Sequence, residues 1–132
     1  NNVKYQSPFF HEPEQVISKE TAAEMKRMLI KTVQEGTGRS ARIEGLEICG
    51  KTGTAQIAGG TGYLKKYISS FVGFVNDDKG NSYTIGVTVI NPNPIRPHYY
   101  AAQSAVPVFK EIIQNLIKLN YLSPKEDINL EN

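Results

Sequence analysis

The sequence predicts a mixed α/β (α+β) fold, an antiparallel sheet of about three strands flanked by helices, and three observations predict it. Between residues 18 and 36, Ala22, Met25, Met28, Leu29 and Val33 recur at helical spacing. Toward the other end, Val106, Phe109, Ile112, Ile113, Leu116 and Ile117 trace a second apolar stripe of the same period. Between these, residues 68–76 and 83–90 form two β-rich apolar runs separated by Asp77-Asp78-Lys79-Gly80-Asn81, a turn sequence that makes the pair an antiparallel hairpin. Strands do not alternate with helices along the chain, so a parallel sheet is not expected.

Taken in order, residues 1–17 hold Pro8 and Pro13 and no clear period, which reads as an extended lead-in. The first helix has Ser18 as its N-cap, Glu20 in its first turn and Gly36 at its C-terminus. Met25 and Met28 are expected in its core face. Residues 37–42 are polar and turn-rich, and their Arg39 and Arg42 read as solvated loop arginines. Residues 43–48 form a short strand or approach segment. Residues 57–67, with Gly59-Gly60-Thr61-Gly62 and Lys65-Lys66, read as a mobile exposed loop. Gly73 and Gly86 sit inside the predicted strands, where a missing side chain marks the close approach of another element, and a helix crossing that face explains both. Residues 91–97 are a proline-broken loop. The second helix has Ser104 as its cap and Pro107 in its first turn, and the polar tail from 123 to 132 is expected to fray.

Composition narrows the function classes. The 132 residues are 39% hydrophobic and 21% charged, with a net charge of +2 and dispersed Lys and Arg, which argues against nucleic acid as a partner. No apolar run is long enough for a membrane span. Cys49 is single, and His11 and His98 stand far apart in sequence, so neither a disulfide framework nor a metal site is expected. No cofactor is implied. The chain opens without Met, which suggests a piece of something longer.

The chemistry concentrates in Gly50-Lys51-Thr52-Gly53-Thr54-Ala55-Gln56. Gly45 to Thr52 satisfies G-x-x-x-x-G-K-[ST], the phosphate-loop pattern. That reading requires a buried strand before the glycines and a helix directly after the lysine. Upstream, however, lie Glu44 and Glu47, and downstream come two threonines and a run of glycines. The second reading is an exposed edge strand that pairs with an extended peptide. Lys51 supplies a positive charge for a carboxylate, the Thr52 and Thr54 hydroxyls are further donors, and Gly53 leaves room for the peptide to lie flat. The backbone N–H of Thr54 is placed to stabilise an oxyanion.

Five stretches in order resemble the C-terminal third of the transpeptidase domain of a class B penicillin-binding protein. They are Pro13-Glu14-Gln15-Val16-Ile17-Ser18, Gly36-Thr37-Gly38, Gly50 through Gln56, Ser70-Phe71-Val72-Gly73-Phe74 and Ala105-Val106-Pro107-Val108-Phe109. Coverage runs from about residue 12 to 122, so residues 1–122 are read as that domain portion and 123–132 as a tail. The glycine pair 59–60 and residues 63–67 look more like the division-specific (septal) branch. Tyr100-Ala101-Ala102 departs from the family's common Tyr-Gly-Gly.

The resemblance implies a serine acyltransferase with three motifs, S-x-x-K, S-x-N and K-[ST]-G, of which only the third is here. No serine in the chain has Lys three residues on or Asn two residues on, so the nucleophile and its base are absent. It also implies that Lys51, Thr52, Gly53, Thr54, Ala55 and Gln56 form the substrate-binding strand. Lys51 would act electrostatically, and the Thr54 N–H would share the oxyanion hole. The implied ligands are the D-Ala-D-Ala end of a peptidoglycan stem peptide and β-lactams, with division-machinery proteins as partners. The implied location is the extracytoplasmic (periplasmic) side of the bacterial inner membrane, the anchor lying outside this chain. The fold becomes a fragment of the serine β-lactamase/penicillin-binding-protein transpeptidase fold. Strand 83–90 would then have an unpaired inner edge, which is expected to pair with another copy or leave the chain marginally stable. A non-catalytic peptide- or protein-binding module using the edge strand is the alternative, and a phosphate-loop nucleotide binder the remote one.

Overall fold

The computed structural model describes residues 13–60, 62–92 and 100–125. Helix α1 (Lys19–Gln34) is followed by a 3₁₀ turn (Arg39–Ala41), strands β1 (Glu47–Gly59), β2 (Gly62–Asn76) and β3 (Ser82–Ile90), a second 3₁₀ turn (Ala101–Gln103) and helix α2 (Ala105–Lys118). The strands form one antiparallel sheet in the order β1-β2-β3.

Helix α1 starts where its sequence says it should. Ser18 has extended backbone, and its Oγ accepts a hydrogen bond from the Thr21 N–H at 3.1 Å. At the other end the N–H groups of Gly36 and Gly38 both donate to the Thr32 carbonyl, closing the helix. The Thr32 hydroxyl bridges the Leu29 carbonyl and the Gly50 carbonyl of β1, tying the last turn to the strand. The N-terminal half of the helix is held by Lys26, whose Nζ lies 2.6 Å from Glu47 Oε1. Only Val33 of this helix is fully buried. Met25 and Met28, expected in the core, are 46% and 50% exposed. The period located an apolar face correctly, but among the described residues α1 packs chiefly on β1, so the part of that face turned away from the strand has no cover.

The hairpin between β2 and β3 forms as expected. Asp77 Oδ1 accepts from the N–H groups of Lys79 and Asn81, and Gly80 takes a φ of +89° to close the turn. The Asp77 carboxylate also accepts from the backbone N–H of Ser123 at 3.0 Å, and the Lys125 N–H donates to the Gly45 carbonyl at 2.9 Å. The start of the polar tail is thus anchored rather than frayed; residues 126–132 lie outside the described residues. These bonds hold the Asp77 carboxyl down to about 2, the Asn81 side chain contributing most.

Residues 57–67 correct the loop expectation. β1 and β2 continue through them as a two-stranded ribbon that pairs as far as Gly59 with Gly62. The glycines that suggested a loop serve the tight reversal instead. Residues 93–99, most of the proline-broken loop, lie outside the described residues.

The core is assembled on one face of the sheet around Phe71. Its ring is fully buried and meets the Phe109 ring of α2 edge-on, with centroids 4.6 Å apart at 70°. Such a pair contributes about 0.5–1.5 kcal/mol beyond its area burial. Phe71 lies across two strand glycines and one loop glycine. A Cβ on Gly50 would sit 2.5 Å from its Cζ, and one on Gly38 or Gly73 would sit 3.2 Å from its ring. Val33, Val75, Val106 and Ile113 fill the space around it. Ser104 occupies the N-cap position of α2 but makes no capping bond; its hydroxyl is used elsewhere.

The glycine expectation holds for one position and for a different reason. A Cβ on Gly73 would collide with the backbone carbonyl of Cys49 on β1, so the close neighbour is the adjacent strand, not a crossing helix. Gly86 has only Val72 Cγ2 at 3.9 Å and needs no glycine on steric grounds. Strand β3 pairs only with β2 among the described residues, leaving its other side an edge.

Three measurements follow from these contacts. Phe71→Ala is expected to cost about 3–5 kcal/mol in urea unfolding. Gly86→Ala should change stability by less than about 0.5 kcal/mol, and Gly73→Ala by clearly more. A Gly86→Ala loss equal to that of Gly73→Ala would show that the sheet tolerates neither. For Asp77 the folded pKa lies below the ordinary 3.8, so its stabilisation is complete above that value and is lost as pH falls toward about 2. Asp77→Asn should therefore flatten the melting-temperature profile between about pH 4 and pH 2.

Candidate functional site

The segment Lys51 to Gln56 lies in the middle of β1, paired with β2 on one side through Thr52–Phe71, Gly53–Ser70, Thr54–Ser69, Ala55–Ile68 and Gln56–Tyr67. β1 is the terminal strand of the sheet, so its other backbone edge has no strand partner among the described residues. Strand alternation sends Thr52, Thr54 and Gln56 to one face and Lys51, Gly53 and Ala55 to the other. Thr52 is half-buried and the rest are exposed. The sequence-predicted site residues are therefore contiguous and accessible, split between two faces of one edge strand.

Each polar side chain is already engaged. Lys51 Nζ donates to the Thr52 carbonyl at 2.8 Å, which folds the ammonium group back along the strand. The Thr52 and Thr37 hydroxyls share a hydrogen bond at 2.7 Å, so the turn after α1 reaches the strand beside the lysine. The Thr54 hydroxyl accepts from the Ala101 N–H at 3.4 Å. Gln56 Nε2 donates to the Leu64 carbonyl at 2.8 Å. Over Gly53 a Cβ would meet nothing nearer than Ser70 Cβ at 3.9 Å, so the strand is open there.

Behind Thr54 lies a hydroxyl relay that sequence reading missed. Ser69 is fully buried on β2, directly opposite Thr54, and its Oγ is 2.5 Å from Ser104 Oγ. Ser104 in turn donates to the Tyr100 carbonyl at 2.9 Å. The 3₁₀ turn Ala101–Gln103 is thereby fixed against β1 and β2, with Ala101 buried and its N–H aimed at Thr54. A serine ahead of a helix reads as a cap, and nothing local reveals a bond to a residue 35 positions away. Thr37 was legible only as part of a turn.

Cys49, next to the segment, is fully buried, and burial above all, with the Glu47 carboxylate nearby, pushes its thiol up to about 11. It is a packed side chain rather than a nucleophile. Arg39 and Arg42 are exposed, as expected. A cleft of about 850 Å³ lies at the far end of β1, lined among others by Val33, Arg42, Leu46, Ile48 and Asp77, and none of Lys51–Gln56 borders it. Among the described residues no three His, Cys, Asp or Glu side chains gather as a metal site, and His11 and His98 lie outside them.

The phosphate-loop alternative does not survive the geometry. Gly50, Lys51 and Thr52 belong to a strand that runs unbroken from Glu47, so no loop curls around an anion and no helix begins after the lysine.

Comparison with known proteins agrees with this arrangement. The family model described as the penicillin binding protein transpeptidase domain matches residues 1–114. Stage V sporulation protein D of Bacillus subtilis is 45% identical over 91 residues, which cover 68% of this chain and 14% of that protein. Peptidoglycan D,D-transpeptidase FtsI of Buchnera aphidicola is 33% identical over 112 residues, covering 83% of this chain and 19% of that one. Among solved structures, the transpeptidase domain of penicillin-binding protein 3 from Burkholderia pseudomallei superposes with a TM-score of 0.70 at 32% identity, over 86% of this chain and 34% of that chain. The chain thus spans less than a fifth of the length of these two curated relatives and about a third of the solved domain. On sequence and fold together, it belongs to the transpeptidase domain family of the class B penicillin-binding proteins.

Proposed function

We infer that Lys51–Gln56 is the substrate-gripping wall of a peptidoglycan D,D-transpeptidase, and that the chain is inactive by itself. The observation that carries this is the placement of Lys51, Thr52 and Thr54 together on an edge strand with its outer backbone side free of any strand partner among the described residues. An extended peptide ending in a carboxylate adds to such an edge by main-chain hydrogen bonds, while the ammonium and hydroxyl groups hold its charge. In this reading Lys51, Thr52 and Thr54 bind the terminal carboxylate of D-Ala-D-Ala or of a β-lactam. Gly53 keeps the approach open, Ala55 and Gln56 continue the pairing, and the Thr54 N–H is one of two oxyanion donors.

The reaction is acyl transfer. A serine supplied from outside this chain attacks the penultimate D-Ala carbonyl, D-Ala leaves, and an amine of a neighbouring stem peptide attacks the acyl-enzyme to form the cross-link. No serine here stands in an S-x-x-K or S-x-N setting, so this chain provides binding and electrostatics only. The relative named FtsI supports the septal branch of the family. Division-machinery partners belong to the same reading, as does an extracytoplasmic location next to the cell wall. No helix among the described residues is long and apolar enough to cross a membrane, so an anchor would come from outside them.

Incubation with a fluorescent penicillin tests the division of labour. The chain alone should show no label after denaturing electrophoresis, and a covalent band would place a nucleophile within it. In a complete transpeptidase domain carrying this segment, Thr54→Ala should slow β-lactam acylation about tenfold or more, the size of a lost hydrogen bond to a charged group. An unchanged acylation rate would remove Thr54 from the carboxylate site.

A further inference from the structure

The hydroxyls of Ser69, Ser104 and Thr54 are joined by hydrogen bonds whose direction follows from counting protons. A serine hydroxyl has one hydrogen to donate. That of Ser104 goes to the Tyr100 carbonyl at 2.9 Å, so in the 2.5 Å contact between Ser69 and Ser104 the donor is Ser69. The Tyr100 carbonyl and the Ala101 N–H belong to one peptide group, and that N–H donates in turn to the Thr54 hydroxyl at 3.4 Å. One directed chain therefore runs from Ser69 through Ser104 and the 100–101 peptide to Thr54.

The turn itself does not need this chain. It is already closed by backbone bonds, from the Gln103 N–H to the Tyr100 carbonyl at 2.9 Å and from the Ser104 N–H to the Ala101 carbonyl at 3.3 Å. Ser104 makes no capping bond to α2. Ser69 is the only buried polar side chain among the described residues, and a buried hydroxyl costs free energy that a methyl group does not.

What the chain does set is the state of Thr54. A free hydroxyl rotates and serves as donor or acceptor alike. With the Ala101 N–H aimed at its oxygen, the Thr54 hydrogen is turned away from that amide, and no acceptor among the described residues takes it. Thr54 is exposed, so the hydrogen is available to a ligand on the strand. The hydrogen bonds from Ser104 and Gln103 polarise the Tyr100 carbonyl, which strengthens the N–H of the same peptide group as a donor.

Resting on the reading of Thr54 as a carboxylate ligand, we propose that Ser69 and Ser104 are positioning residues for it, holding the Thr54 hydroxyl as a donor toward an anionic substrate end through the Ala101 N–H. They touch no substrate themselves. Their effect is greatest on ligands that end in a carboxylate, because an anion gains about twice as much from a donor as a neutral acceptor does.

The test measures the second-order acylation rate of a complete transpeptidase domain carrying this segment, with benzylpenicillin and with its methyl ester, which differ at the carboxylate alone. The wild type should favour the acid. Ser104→Ala should lower that acid-over-ester preference about two- to tenfold, the size of one neutral hydrogen bond, with little effect on the ester. Ser104→Thr keeps the hydroxyl and should restore the preference. Ser69→Ala, a nearly isosteric change, should lower it in the same direction, and it decides the matter if Ser104→Ala does not fold. Equal slowing of both probes in the alanine variants would mean general loosening of the turn and overturns the positioning role. So does an unchanged preference in both variants where Thr54→Ala loses it, and the carboxylate grip then stands alone. If Thr54→Ala also keeps the wild-type preference, the carboxylate grip itself fails, and the positioning role falls with it.

Discussion

The arrangement of this protein depends on one aromatic ring seated where side chains are missing. Phe71 points from the central strand across Gly50, Gly73 and Gly38, and each of these glycines is close enough to the ring that a Cβ would crowd it. The ring covers the backbone that glycine leaves bare and supplies the contact that glycine cannot make. Because Gly50 is also the residue whose carbonyl meets Thr32, the same few ångströms fix the last turn of α1, the start of the lysine-bearing segment and the inner face of α2. The site strand is held rigid from behind, and its accessible edge carries no part of that packing.

This separation of labour suits a binding strand. Residues that pack, such as Ile48 and Cys49, precede the exposed segment on β1, so burial falls off along the strand just where recognition begins. The hydroxyl relay of Ser69, Ser104 and the Ala101 turn then replaces apolar packing with directional bonds behind Thr54. Hydrogen bonds set position more narrowly than apolar contact does, which matters where a donor must meet a carboxylate within a few tenths of an ångström.

Much of the architecture could be read in the sequence because it is periodic. Both helices, the turn at Asp77–Asn81 and the strand identity of the segments around it follow from local spacing and turn chemistry. The misreadings arose where a local signal had two physical causes. Glycines at 59, 60 and 62 serve a tight strand reversal as well as they serve a loop, and only the pairing of Gly59 with Gly62 decides. Gly73 did mark a close approach, but by its own neighbouring strand. Met25 and Met28 lie on an apolar face whose cover is not among the described residues. Of the site, Lys51 through Gln56 were legible as a strand with its chemistry, whereas Thr37, Ser69, Ser104 and Ala101 were not, since their bonds to it or behind it span 15 to 47 positions and leave no local pattern.

The Asp77 carboxylate has a topological consequence. It is the hub of a local turn, yet it also takes a bond from Ser123, 46 residues further along the chain, with both α2 and β3 in between. One side chain thus closes the five-residue turn between β2 and β3 and also a closure that spans 46 residues. Loop entropy grows only slowly with length, so the long closure asks little more than a short one once its ends have been brought together by packing. The end of the chain after α2 and the hairpin turn are therefore not independent zones of breathing. Opening either strips the other of a shared acceptor, so the β2–β3 turn and the segment after α2 loosen or hold as one cooperative unit.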